Sequence, residues 1–453
     1  MDIGRDVTVT NWDGTWTYRP TALVSPRSAE DLAAIMLDKE RFPSPVRPAG
    51  SMHSTARVNG DDCGTMVDMK VMNRILEFGT DSVTVEAGIT HKELSEALKE
   101  RGKQFYIMTE IGDVTLGAFA TAATKDSSFP GEFGQVASYV TKMRLVTPQG
   151  EIKTYTEEDN PEEMRLLRSS YGLLGIVFEL TIKVKPTAAL SVLHVSLSIP
   201  EFRRRFPAFK QDHAVMYYLF PFARRVVVEL RKEYPNVEPV SYRRWKWRNR
   251  FWNKYGPAAT QWVSANFPSP TMHRLVDKLL FLFLRQALVL FVRGDRTSPH
   301  SQIITYPRKP KMKYIFSMWA FNEQNFFDIL EEYCDFCADY EKRTGYRCDL
   351  PGVGYAISQD QESALSYSWD YPTLCIDPAS TGGEDWERFL KAYNEFCCDR
   401  GGLPLFNQTP FLTPAEATKA FGRRLADFAA ARRKIDSEDR LLDSDFRALL
   451  SDA

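Results

Sequence analysis

Between Ser28 and Gly102 the chain twice passes from a polar helix cap through apolar residues at helical spacing, and short β-rich runs stand between and after the two helices. SAEDLAAIMLDKE opens at Ser28, and THKELSEALKERG opens at Thr90 and stops at Gly102, each with the cap residue that satisfies the first free N–H groups of a helix. SPVRPAG and DSVTVEAG read as strands, VTKMRLVTPQGEIKTY as two strands joined at Pro-Gln-Gly, and GLLGIVFELTIKVKP as a long strand. Such alternation points to a mixed domain, α+β or α/β. The long strand ends at Pro186, which removes a ladder donor, and TAALSVLHVSLSIP then begins afresh. We therefore expect a first domain over 1–188, a second over 189–400, and a charged helical segment over 401–453 that returns to the first.

Length supports two units, since 453 residues exceed one ordinary core. A hydrophobic share of 43%, a charged share of 26% and a net charge of -1 exclude a disordered acidic chain and a globally basic nucleic-acid binder. No nucleic-acid partner is expected. The seven cysteines are odd in number and follow no secretory signal, so free thiols in a reducing, cytoplasmic setting fit best. Cys334 and Cys337 form a CxxC within an amphipathic helix pattern that lacks a second ligand pair, and no metal site is expected. Two stretches of the middle region stand out. YRRWKWRNRFWNKYG, from 242, interleaves six basic with six aromatic residues, and LLFLFLRQALVLFV, 279–292, is apolar except for Arg285 and too short to span a bilayer. Together, 242–255 and 279–292 read either as core of the second domain or as a peripheral membrane contact that admits a lipophilic substrate.

VRPAGSMHSTARVNG, 46–60, places a turn of small residues after a short strand, where successive N–H groups can approach a pyrophosphate. Any small-residue turn fits that description, and a lone histidine is commonly a loop or core residue. The order of motifs is more specific. NWDGTWTYRPTALVSPRSAEDLAAIM, VRPAGSMHS, MVDMKVMNRIL, VTVEAGITHKELSEAL, GDVTLGAFATAATKDSS and SSYGLLGIVFELTIKVKP follow one another, and KIDSEDRLLDSDFRALL closes the chain. In this the sequence resembles the flavin oxidoreductases of the vanillyl-alcohol oxidase type, most densely over 11–186, and within them the sugar-lactone (gulonolactone and arabinonolactone) oxidase group. The resemblance implies a PCMH-type FAD-binding domain beneath an α+β cap. It also implies that Pro48, Ala49, Gly50, Ser51, Met52 and Ser54 line the pyrophosphate loop and that His53 bonds covalently to the flavin 8α-methyl. Asp113, Val114, Thr115, Gly117 and Ala118 match a turn beside the cofactor, and Gly172, Gly175 and Ile176 a further flavin-contacting turn.

The substrate side departs from that group. Where it carries a glutamate and an arginine on a cap strand, PGVGYAISQD has Val353 and Tyr355, and where it carries a lysine, GGLPLFNQ has Gln408. Lys125 and Asp126 stand where the group has histidine and asparagine. The expected catalytic residues are Lys125, which can hold the reduced flavin or polarise a substrate oxygen, Tyr355, a proton acceptor if a nearby cation lowers its pKa, and Gln408. The expected reaction is oxidation of a CH–OH, or other C–H, carbon by hydride transfer to flavin N5, on a small lipophilic or non-sugar substrate. A desaturase or double-bond reductase acting on a lipid-like substrate, and a non-catalytic flavin-fold binding protein, are the alternatives.

Overall fold

The structure is a computed structural model and describes residues 1–240, 243–255, scattered positions between 258 and 283, and residues 294–305, 315–348 and 350–452. Both helices anticipated from their caps form. Ala29–Leu37 begins at Ser28, whose side chain accepts from the Asp31 N–H, and His91–Lys99 begins with a reciprocal Thr90–Glu93 capping box. They pack against two small sheets. One joins Asp2–Gly4, Ala22–Ser25, Thr65–Asp68 and Val46–Ala49 in that order, with the last three parallel. The other is antiparallel, in the order Ile152–Thr156, Val140–Val146, Ile176–Pro186, Ser82–Glu86 and Ile75–Phe78, and Lys103–Phe105 extends its long central strand. The mixed α+β class read from the sequence is the class observed.

From Ala189 onward the chain builds an antiparallel sheet of nine strands, covered on one face by the helices Ile199–Asp212, Phe326–Thr344 and Glu384–Asp399. Alternation along each strand divides its side chains between two environments. In Ala214–Phe220, Val215, Tyr217 and Leu219 enter the helix-covered core with Phe202, Leu330 and Tyr393, whereas Met216, Tyr218 and Phe220 face the other way. Pairing then places Tyr355 beside Met216, Val353 beside Tyr218 and Asp377 beside Val353, all on the uncovered face. Cys334 and Cys337 are buried on the covered face, where loss of hydration pushes both thiols up, Cys334 to about 12, so they serve as core.

The last fifty residues pack beneath the first domain's sheets. Leu425, Phe428 and Phe446 share a core with Val83, Leu98 and Phe119. Arg440 donates to the carbonyls of Ile35 and Met36 at 2.7 and 3.1 Å. Arg47, in the short strand before the small-residue turn, makes a buried ion pair with Asp443 at 2.9 Å and donates to the carbonyls of Val58, Tyr171 and Leu441. One side chain thus ties together the turn after residue 57, the turn at 171 and the C-terminal segment.

Candidate active site

Pro48, Ala49, Gly50, Ser51, Met52, His53, Ser54, Val114, Thr115, Gly117, Ala118, Gly172 and Gly175 line a single cleft, although they come from three separate turns. The turns meet because two of the glycines leave no room for a side chain. A Cβ on Gly50 would lie 2.2 Å from Thr115 Oγ1, and one on Gly172, at φ +76°, would lie 2.7 Å from the Pro48 ring. Met52 takes the left-handed conformation at φ +60° without being glycine. Contacts from the N-terminal NWDGTW segment hold it there: the Trp12 N–H donates to the Met52 carbonyl at 2.8 Å, Asn11 Nδ2 to Ser54 O at 3.0 Å, and Trp16 Nε1 to Thr55 O at 2.7 Å.

Two of the expected cofactor residues do not line the cleft. Asp113 stands behind it, with Oδ2 3.1 Å from His53 Nε2, while the Trp12 ring stacks on the imidazole at 5.4 Å between centroids. Ile176 points the opposite way, into the core with Ala22, Val24 and Leu32, and its strand neighbour Val177 takes the cleft position, as the period of two along a strand requires. Residues that sequence reading missed include Asn59, Ala87, Tyr171 and Asn407. Of these, Asn59 Nδ2 and Asn407 Oδ1 are buried without a protein partner on the cleft wall. Unpaired polar atoms of that kind, beside a rim of small residues, suit a long polar cofactor such as FAD, whose hydroxyls and pyrophosphate supply both donors and acceptors.

A second cavity adjoins the cleft, and Ile111, Thr124 and Gln408 border both. Its cap side is apolar, formed by Met216, Tyr218, Ile304, Phe316, Leu350, Pro351, Val353 and Ala379. Lys125, Tyr355 and Gln408 meet at its other end, around a residue that sequence reading missed. Lys125 Nζ donates to Asp377 Oδ2 at 3.0 Å and to Gln408 Oε1 at 3.4 Å, and lies 5.0 Å from the centre of the Tyr355 ring. Both members of the Lys125–Asp377 pair have side chains only 5% exposed. Burial pushes the Asp377 carboxyl up to about 6 against the opposing pull of Lys125. Tyr355 does not match its expected role as a proton acceptor. Burial, reinforced by Glu110, Asp126 and Asp377, raises its phenol well above the ordinary value, so it stays protonated and does not take up a substrate proton. Asp377 had a faint signal, an acid within the otherwise apolar and small TLCIDPAS.

Behind this end lies a buried charge network. Both oxygens of Asp126 accept from Arg231 Nη1 at 3.0 Å, Arg231 Nε donates to Glu229 at 2.5 Å, and His194 Nε2 lies 2.7 Å from Glu229. Glu110 is bound by Arg248 and, at 3.4 Å, by Arg231. Arg248 comes from the basic and aromatic stretch, and its neighbour Trp245 is 2% exposed against Leu190 and Val192. Those two side chains are therefore interior and unavailable to a membrane, whereas Trp247 is 57% exposed. Residues 242, 280 and 284–292 of the two singled-out stretches lie outside the described residues. Among the described residues no helix is long and apolar enough to cross a membrane.

A cleft walled by three small-residue turns and opening onto a capped cavity defines a flavin-dependent oxidoreductase, and comparison with known proteins agrees. The family model described as an FAD binding domain matches residues 20–156. L-gulono-1,4-lactone dehydrogenase of Mycobacterium tuberculosis is 23% identical over 96% of this chain and 97% of its own, and L-gulonolactone oxidase of Bos taurus 26% identical over 70% and 72%. Among solved structures, cholesterol oxidase from Brevibacterium sterolicum superposes with a TM-score of 0.78 at 12% identity, covering 99% of this chain and 97% of that one. Xylooligosaccharide oxidase from Myceliophthora thermophila superposes with a TM-score of 0.67 at 13% identity, covering 96% and 93%. The chain thus carries an FAD-binding domain over residues 20–156 and is an FAD-dependent enzyme.

Proposed function

We propose that this enzyme oxidises the CH–OH group of a lipophilic alcohol, with FAD held by residues 1–188 and 401–453 and covered by 189–400, and with the flavin bonded covalently to His53. When bound, the flavin accepts a hydride from the substrate carbon. Pro48 to Ser54, Thr115, Gly117, Ala118, Gly172 and Gly175 hold the cofactor, Gln408 and Lys125 stand between it and the substrate, and Tyr355 donates a hydrogen bond. Asp113 Oδ2 stands 3.1 Å from His53 Nε2, which leaves Nδ1 as the nitrogen for the bond.

The observation that carries the substrate reading is the cavity's lining: an apolar wall that includes Val353, with polar side chains gathered at one end. Each sugar hydroxyl left unpaired against that wall costs about 1–3 kcal/mol, so a polyhydroxylated lactone is penalised several times over. The test is an anaerobic panel of L-gulono-1,4-lactone, xylobiose, cholesterol and long-chain primary alcohols, followed by flavin bleaching. A lipophilic alcohol is expected to bleach the flavin at least about 100-fold faster than the lactone, a difference of about 2.7 kcal/mol; the reverse order sinks the reading. Covalent attachment is checked separately, since acid precipitation should leave the flavin with the protein and the His53→Ala variant should release it.

A further inference from the structure

We propose that Asp377 is the group that takes the hydroxyl proton from the substrate, with Lys125 holding its carboxylate in place; the assignment rests on the alcohol-oxidising reading above. Asp377 lines the cavity from the strand Thr373–Ser380, beside Val353 of the neighbouring strand. Its Oδ2 is taken by Lys125 at 3.0 Å, and its Oδ1 is buried without a partner. A buried carboxylate oxygen without a donor is costly unless something supplies one, and a substrate hydroxyl is a donor of the right kind. The other candidates at that end are committed or unsuitable. Asp126 spends both oxygens on Arg231, Glu110 is held through Oε1 by two guanidinium groups, Arg231 and Arg248, which disfavour its taking a proton, and Tyr355 keeps its proton. Gln408 reaches Lys125 and borders both cleft and cavity, so the pair stands at their junction.

The step balances. The substrate O–H bond breaks as its proton passes to Asp377 Oδ1, the C–H bond breaks as hydride leaves for the flavin, and the C=O bond forms. The alcohol loses two electrons and the flavin gains them. Of the other titratable groups near Asp377, Glu110 and Asp126 line the same cavity but are paired with arginines, and the Cys375 thiol and the Tyr217, Tyr355, Tyr367 and Tyr393 phenols are raised by burial and stay neutral; burial raises the Asp377 carboxyl itself against the pull of Lys125. A base is active when deprotonated, so turnover should rise with pH through about 6 and then level.

The experiment uses the holoenzyme in two arms. In the first, infrared difference spectra between about pH 5 and about pH 8 should show carboxyl C=O absorption that vanishes on the alkaline side and is weaker in Asp377→Asn, where Asp360 and Asp445, also raised to about 6, still contribute. In the second, reduction of the flavin by whichever panel alcohol bleaches it fastest should slow at least about 100-fold in Asp377→Asn at unchanged flavin content, and recover in part in Asp377→Glu. Lys125→Met should move the acid limb of the rate profile to higher pH. Wild-type bleaching by Asp377→Asn with the limb intact overturns the assignment while leaving alcohol oxidation standing, and titrating carboxyl absorption of undiminished intensity in Asp377→Asn overturns it equally. Should Asp377→Asn fail to keep flavin, the limb in Lys125→Met decides, an unmoved limb counting against Asp377. Bleaching by no alcohol overturns both readings together.

Discussion

The flavin cleft and the substrate cavity share a border at Ile111, Thr124 and Gln408 yet are built by opposite means. The cleft is a product of backbone: turns of small residues brought close by the missing side chains of Gly50 and Gly172. The cavity is a product of side chains on one face of a sheet, closed at its reactive end by a lysine and an aspartate that lie 252 positions apart. A site made of backbone holds the same group in every relative that keeps the turns, whereas a site made of side chains changes its substrate with each substitution.

Breaking the backbone side should have the largest effect. Gly50→Val drives a Cβ to within 2.2 Å of Thr115 Oγ1, and the purified variant should carry no flavin by its visible spectrum. Next comes the tie between the turns and the C-terminal segment. Arg47→Met leaves Asp443 buried without its cation, and denaturant unfolding should show a loss of about 3–5 kcal/mol. If stability is unchanged, the C-terminal segment does not hold the cleft together.

On the cavity side, Asp377→Asn should change the pH dependence of stability. The carboxyl is raised from 3.8 to about 6, so between those values the folded state binds more protons than the unfolded one. Its contribution to stability is therefore full below about pH 4 and is lost as pH rises through about 6, a change of at most about 3 kcal/mol that the variant should remove. Asp360, also raised to about 6 by burial, remains in the variant and keeps part of the slope. The smallest effect belongs to the surface. Trp247→Ala should alter unfolding by no more than about 0.5 kcal/mol, whereas Trp245→Ala, in the same helix, should cost about 3–5 kcal/mol.

Local rules carried the first domain. Caps at Ser28 and Thr90, the Pro-Gln-Gly turn and the long run to Pro186 each specify an element through contacts within a few residues, so a linear reading finds them. Strand direction is harder, and there Ile176 was exchanged for Val177, because turns alone do not say which face of the strand meets the cleft. Tyr355 was expected to accept a proton if a nearby cation lowered its pKa; burial, with the carboxylates of 110, 126 and 377, raises its phenol instead, and none of these is visible from its own segment. The basic and aromatic stretch looks uniform as a string; folding sorts it into a buried Trp245 and Arg248 and an exposed Trp247.

The sequence by itself determined the cofactor class and the small-residue turns that meet in one cleft, because glycines and small residues act through backbone conformation, a property each position carries alone. Only the tertiary structure decided the chemistry of the substrate side. Lys125 is an ordinary lysine until the cap strand sets Asp377 3.0 Å from it, and Asp377 is an ordinary acid until burial lifts its carboxyl to about 6. Desolvation and ion pairing depend on what surrounds a charge in three dimensions, and no spacing along the chain encodes it.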